Sequence, residues 1–392
     1  MIQRKIIPDL QQEMQTEKVI VLTGMRRVGK TTIARYFYDT VHSARKLFLD
    51  LENPLNQSYF ETKDYDKAYH YLQQLSHGMG ERLVVFLDEV QSVKNIASAV
   101  KYVSDHYQVK FFLTGSASFY LKNLFTESLA GRKKIFELYP LDFSEFLSYK
   151  APQFKKPVLK DIVERPIFDF LSKYVEEYVQ YGGFPSVVLK VSKEEKYAEI
   201  ADIVSSYFQK EVLVLADFRK LSLFKDLMFL LSRRTGSKLD ISKLASTVGL
   251  SRLTVLEYLD FLQGTYFFSR VRCYSQNLDV VLRKQAKGYV SDVGFLTYLP
   301  HISSAAIFEN AAYNLLRQKG DVYFYQTKHG AEIDFVVIFK NRQKVAFEVK
   351  ETVHAADVKR LKKMAEKLGC EDYFVMSKNF SPLEKTVYLF QL

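Results

Sequence analysis

Gly24-Met-Arg-Arg-Val-Gly29-Lys30-Thr31 follows a short apolar run, Lys18 to Leu22, and precedes a helical stretch from Thr31 to about Val41. Strand, glycine loop and helix in that order decide the fold of the first third of the chain. Glycines let such a loop curl until its backbone N–H groups converge, and the helix N-terminus adds partial positive charge, so the loop is built to hold phosphate. Lys30 would neutralise the outer phosphates of a nucleotide, and the Thr31 hydroxyl would offer an oxygen to Mg²⁺. The expected cradle is therefore Gly24, Arg26, Arg27, Val28, Gly29, Lys30, Thr31 and Thr32, with ATP and Mg²⁺ as its ligands.

Further strands fit Lys46 to Leu51, Leu83 to Leu87 and Val109 to Leu113. They are short, continuously apolar and separated by helical lengths, which predicts a parallel sheet covered on both faces. The run Leu83-Val-Val-Phe-Leu87 ends in Asp88-Glu89, two carboxylates at the C-terminal edge of a strand, where ligands of open α/β sheets bind. Asp88 is expected to hold Mg²⁺ and Glu89 to polarise an attacking water. The next strand ends in Thr114-Gly115-Ser116, which makes Ser116 a candidate sensor of the terminal phosphate; a helix cap is the competing reading.

Composition sets the limits. In 392 residues, 47% are hydrophobic and 26% charged, which excludes disorder for the bulk of the chain. No apolar run approaches the roughly 18 residues of a membrane span, and no apolar stretch follows the basic start as in a secretory signal. Cys273 and Cys370 fit neither a metal knuckle nor a disulfide framework. A cytoplasmic protein without a membrane partner is expected. The largest share of the formal net charge of +11 falls in residues 231–300, where ten basic residues stand against five acidic ones. If DNA is bound, that segment is the place to look.

The phosphate loop and the Asp88-Glu89 strand resemble an AAA+ ATPase over residues 1–140. The run Ser128-Leu-Ala-Gly131-Arg132, then Leu138 to Leu147, Gly182-Gly-Phe-Pro185 and Lys287-Gly-Tyr-Val-Ser-Asp-Val-Gly294 are similar to one prokaryotic branch, whose members carry a C-terminal domain of unknown function. That resemblance implies a homo-oligomer, a hexamer among the assemblies it allows. It also implies that Arg132 is a cationic finger reaching a phosphate, either within its own chain or across a subunit interface.

Residues 142–235 are helical in pattern. Beyond Gly236, Ile241 to Val248, Gly249 and Ser251 to Leu262 predict helix, tight turn and helix, and Tyr266 to Val271 a strand of a wing. Arg252, Arg270 and Arg272 are the candidate DNA contacts, although Glu257 and Asp260 on the second helix argue against tight base-specific reading.

The last constellation is acidic. Glu309 lies on a helical stretch, Asp334 begins a strand, and Glu348-Val-Lys350 ends the next. Glu348 and Lys350 share a face, and a hairpin would bring Asp334 beside them. Two carboxylates could then share a second divalent metal, Mg²⁺ or Mn²⁺, with Lys350 orienting a water and Glu332 as a further ligand. The arrangement resembles the PD-(D/E)XK nuclease fold; a plain Glu348–Lys350 ion pair on a solvated edge is the alternative.

The expected fold class is α/β throughout. It comprises a P-loop AAA+ core (1–145), a helical lid (146–235), a winged helix-turn-helix (236–285) and a restriction-endonuclease-like α/β domain (286–392). The functional expectation is an Mg²⁺-dependent ATPase that acts on DNA. The competing class is a nucleotide-dependent assembly switch whose C-terminal domain does not cut.

Overall fold

The structure is a computed structural model, and it describes residues 2–76, 82–116, 131–212, 221–299 and 302–392. The chain divides into two compact units: Met1–Tyr139 with Gly264–Tyr266, and Pro140–Gln263 with Phe267–Leu392.

The first unit is a five-stranded parallel sheet in the order β2-β3-β4-β1-β5. Its strands are β1 (Val19–Thr23), β2 (Lys46–Asp50), β3 (Val84–Asp88), β4 (Lys110–Gly115) and β5 (Lys133–Glu137). The helices are α1 (Ile7–Met14), α2 (Lys30–Thr40), α3 (Pro54–Ser58), α4 (Tyr65–Leu75) and α5 (Ile96–Tyr107). Every residue of β1, β3 and β4 is buried, because these runs are apolar on both alternating faces and helices cover both sides. Phe112 stacks on Phe37 of α2, while its neighbour Phe111 joins Val100 and Val103 of α5 in the opposite layer. Lys110 is buried at the start of β4; its Nζ donates to the carbonyls of Glu13, Thr16 and Lys18 at 2.8, 2.8 and 2.6 Å, tying the end of α1 to the entry of β1. β1 lies between β4 and β5, where the strand order reverses, so its C-terminal loop opens at the crevice such sheets use for ligands.

The second unit merges the expected lid, helix-turn-helix and C-terminal segments. Its second sheet runs β12-β11-β10-β9-β8, from β8 (Gly320–Gln326), β9 (Glu332–Phe339), β10 (Lys344–Lys350), β11 (Asp372–Ser377) and β12 (Thr386–Val387). The pairs β8–β9 and β9–β10 are antiparallel, and β10–β11 and β11–β12 parallel. Helices Ile241–Val248 and Arg252–Gly264 flank a turn at Gly249, and β6 (Phe268–Val271) pairs antiparallel with β7 (Lys287–Val290). The second strand of this ribbon thus lies beyond the boundary expected at 285.

Buried polar ties explain why these segments form one unit. Asn310 accepts from the Val290 N–H and donates to the Val290 carbonyl, at 2.9 and 2.8 Å. Gln391 donates to the carbonyls of Val158 and Asp161. Asp292 is fully buried and accepts from the N–H groups of Gly183 and Gly294, both at 2.8 Å. Gly182 has φ +78°, and any Cβ there would collide with the Asp292 carboxylate, so the Gly-Gly-Phe-Pro and Ser-Asp-Val-Gly runs are two halves of one structural joint. No helix among the described residues is long and apolar enough to cross a membrane.

Candidate functional site

The loop of residues 24–29 leaves β1 and turns into α2 at Gly29, which takes φ +103°. Gly24, at φ +157°, lies against the Leu138 carbonyl, where a Cβ would collide; the Leu138 N–H in turn donates to Thr23 O at 2.7 Å. Lys30 is buried at the head of α2 and donates through Nζ to the carbonyls of Gly24 and Met25, both at 3.0 Å. Its ammonium is thereby held inside the curl of the loop.

Asp88 meets the loop from the end of β3. Its Oδ2 accepts from the Thr31 hydroxyl at 2.8 Å, and its Oδ1 from the Thr114 hydroxyl of β4. Burial, with a smaller push from Glu89, raises the Asp88 carboxyl from its ordinary value, and the two hydroxyls and Lys30 oppose that rise. Thr31 and Asp88 give adjacent oxygen donors, the chemistry Mg²⁺ takes, so the residues present fit the ion. Glu89 follows with φ 53°, a left-handed conformation that is uncommon for a non-glycine residue. Its backbone N–H donates to Thr114 Oγ1 at 3.3 Å. Gln91 donates to the Glu89 carboxylate and, at 3.1 Å, to the hydroxyl of Ser116, which joins these two expected residues through one amide. Arg26 pairs with Glu52 at 3.1 Å and lies 3.9 Å from Glu89.

Arg27, at φ 67°, and Val28 complete the loop, while Thr32 is exposed on the first turn of α2. Arg132 departs from the expectation. It precedes β5, whose Lys133 pairs with Val19 at the beginning of β1, so it lies at the opposite edge of the sheet from the loop. At ~3.3 Å per strand residue, that is roughly 15 Å or more from the phosphate cradle. Its guanidinium pairs with Asp105 of α5 at 2.7 Å. A reach to the phosphate within the same chain is thus corrected by the strand register. Ser128 to Ala130 of the run that suggested this role lie outside the described residues.

Arg4 was not legible as a site residue. It is buried under the loop and donates from Nη1 to Val28 O at 2.9 Å and from Nη2 to Tyr139 O at 2.7 Å. One guanidinium therefore fastens the phosphate loop to Tyr139, the end of the unit's first segment. No motif marks it, and only its place before an amphipathic helix with proline in the first turn set it apart.

In the second unit the structure brings the four expected residues together. β9 and β10 pair with Phe335 opposite Phe347, which puts Asp334 beside Glu348, and the Val349 N–H donates to Asp334 Oδ2 at 2.8 Å. Lys350 Nζ is 2.9 Å from Glu348 Oε1, and Arg360 also pairs with that oxygen. Glu309 joins from helix Ser304–Leu316. Sequence reasoning missed Lys287, which lies among Glu309, Glu332 and Asp334. Among the described residues, no three His, Cys, Asp or Glu side chains are arranged to hold a metal. Burial and Asp334 raise the Glu348 carboxyl, and Lys350 and Arg360 pull it back.

Residues 16–147 match a family model described as an AAA domain, and residues 172–306 and 304–389 match two domains of unknown function, DUF8612 and DUF4143. An uncharacterized protein of Methanocaldococcus jannaschii is 26% identical over 384 residues, covering 93% of this chain and 82% of that one. A protein of Haemophilus influenzae is 25% identical over 367 residues, covering 89% and 88%. The Walker-type ATPase paby2304 of Pyrococcus abyssi superposes with a TM-score of 0.48 at 13% identity, over 76% of this chain and 95% of that structure. The AAA-domain match over residues 16–147, together with the loop, Lys30 and Asp88 found there, supports an ATPase of the AAA type.

Proposed function

We propose that the chain binds ATP with Mg²⁺ in its first unit, hydrolyses it, and uses the cycle to act on DNA as a homo-oligomer. The observation that carries the ATPase reading is the Thr31–Asp88–Thr114 chain of hydrogen bonds at the mouth of the phosphate loop. Lys30 leaves the Gly24 and Met25 carbonyls to meet phosphate oxygens. Thr31 and Asp88 hold the metal, which when bound neutralises charge on the phosphates. Glu89, positioned by Gln91 and Arg26, takes a proton from the attacking water, and Ser116 reports on the terminal phosphate through the same Gln91 amide. A neighbouring subunit's Arg132 is the form in which the finger role assigned to that residue survives.

The DNA reading is supported by the +11 charge and the helix-turn-helix before β6. One observation favours the second reading, a nucleotide-dependent switch that assembles a protein complex. Helix Arg252–Gly264, which would face DNA, exposes Leu253 and Leu256, and Arg270 beside it is held by Asp260 at 2.5 Å and Gln263 at 2.9 Å. The two readings separate in one experiment: ATP turnover measured with and without single-stranded, duplex and branched DNA. Stimulation by a DNA form supports action on DNA. A DNA-indifferent rate with no DNA binding supports the switch.

A further inference from the structure

The PD-(D/E)XK resemblance calls for a divalent metal among Glu309, Asp334 and Glu348. The residues present do not fit one, because the position is already filled. Lys287 Nζ lies 2.6 Å from Glu332 Oε1, 3.4 Å from Glu309 Oε1 and 3.6 Å from Asp334 Oδ1. The lysine is buried, and the three carboxylates raise its ammonium pKa above the ordinary value despite the burial that opposes them. The oxygens are engaged elsewhere as well. Lys238 lies 3.3 Å from Glu332 Oε2, Tyr289 donates to Glu309 Oε1 at 2.7 Å, and the Val349 N–H caps Asp334. Glu348 faces Lys350 and Arg360. A small divalent ion needs oxygens at about 2.0–2.2 Å around a common centre. The ammonium stands against Glu309 and Asp334, two of the three carboxylates such an ion would need, and both cations cannot share that space.

We infer that Lys287 is the resident cation of this cluster and takes the place of the metal. Lys287 and Tyr289 project from the same face of β7, two residues apart, and both reach Glu309 on a different element. The cluster therefore fastens the β6–β7 ribbon to helix Ser304–Leu316 and β9. It binds no divalent metal in the native chain and cuts no phosphodiester. This holds whether or not the chain acts on DNA, and its test needs neither ATP turnover nor DNA binding.

The test counts bound Mn²⁺ by the loss of its free-ion electron paramagnetic resonance signal, on the full chain without nucleotide. Comparing each protein with its Asp334→Asn counterpart cancels any Mn²⁺ at Thr31 and Asp88. The native chain and D334N should bind alike. Lys287→Met should gain one site per chain, at least tenfold tighter than any residual native binding, and Lys287→Met/Asp334→Asn should lose it. Native binding that disappears in D334N overturns the inference, as does a folded K287M protein with no new site. If K287M does not fold, the native-against-D334N comparison decides alone: equal binding supports the inference and unequal binding overturns it. Circular dichroism establishes folding in each case.

Discussion

Removing Arg4 should damage nucleotide binding from beneath the phosphate loop without touching a reacting atom. Among the described contacts its guanidinium donates to Val28 O, a buried bond, and to Tyr139 O, a partly buried one. Bonds from a charged donor contribute roughly 1.5–3 kcal/mol each. Water can reach the partly buried carbonyl in the variant, so Arg4→Ala should cost about 3–4 kcal/mol rather than the full sum. For a unit of this size, that is a fall of roughly 10–13 °C in the thermal midpoint. Only part of this cost falls on binding, because nucleotide can reorder the loop at its own expense. We expect KM for ATP to rise about 10- to 100-fold, equivalent to about 1.4–2.7 kcal/mol, with kcat changed much less. Arg4→Lys keeps the charge but reaches one carbonyl, since an ammonium lacks the planar fork; it should recover about half of the loss on a logarithmic scale. Steady-state ATPase kinetics and thermal unfolding of the three proteins are the assay. An Arg4→Ala protein with native midpoint and native KM would refute the reasoning.

Two further outcomes follow from buried polar groups. Burial pushes the Asp292 carboxyl up to about 6 from 3.8. A raised acid stabilises the fold most when protonated, so this contribution is full below about pH 4 and lost as pH rises through 6, about 3 kcal/mol for the two-unit shift. The stability difference between the native chain and Asp292→Asn should therefore fall by about that amount from pH 4 to 7, and a pH-independent difference in denaturant titrations contradicts it. Lys110→Met leaves three carbonyls near the end of α1 without their donor. It should destabilise the first unit by roughly 2–4 kcal/mol, while hydrogen exchange in the second unit stays native.

Much of this was legible because the relevant residues are close in sequence or follow a strict period. Strand β1, the loop and α2 were placed within one residue, and β3 and β4 began one residue later than read, since continuous apolar runs between helical lengths admit few alternatives. The strands that were missed have weaker signals. β5, Lys-Lys-Ile-Phe-Glu, is a half-exposed edge strand whose charges hide its period, and β11 was passed over although its last four residues are buried. The pairing of Asp334 with Glu348 and Lys350 was readable from strand alternation and a hairpin. Lys287 was not, because it arrives from the neighbouring ribbon and no local pattern announces a contact across 22 to 47 residues of chain. Arg132 was misjudged for its own chain for the same reason: its position in a motif says nothing of strand register, and register puts it at the far edge. The glycine motifs at 182–185 and 287–294 drew attention as family signatures, and they prove to be the two sides of the Asp292 joint.

The central claim is that the Lys30, Thr31 and Asp88 constellation hydrolyses ATP. Its most direct test is single-turnover hydrolysis of γ-labelled ATP with Mg²⁺ by the native chain, Lys30→Ala and Asp88→Asn. The account predicts phosphate release by the native chain, and a loss of at least 100-fold in each variant with the fold intact. Hydrolysis by Lys30→Ala at the native rate would contradict it.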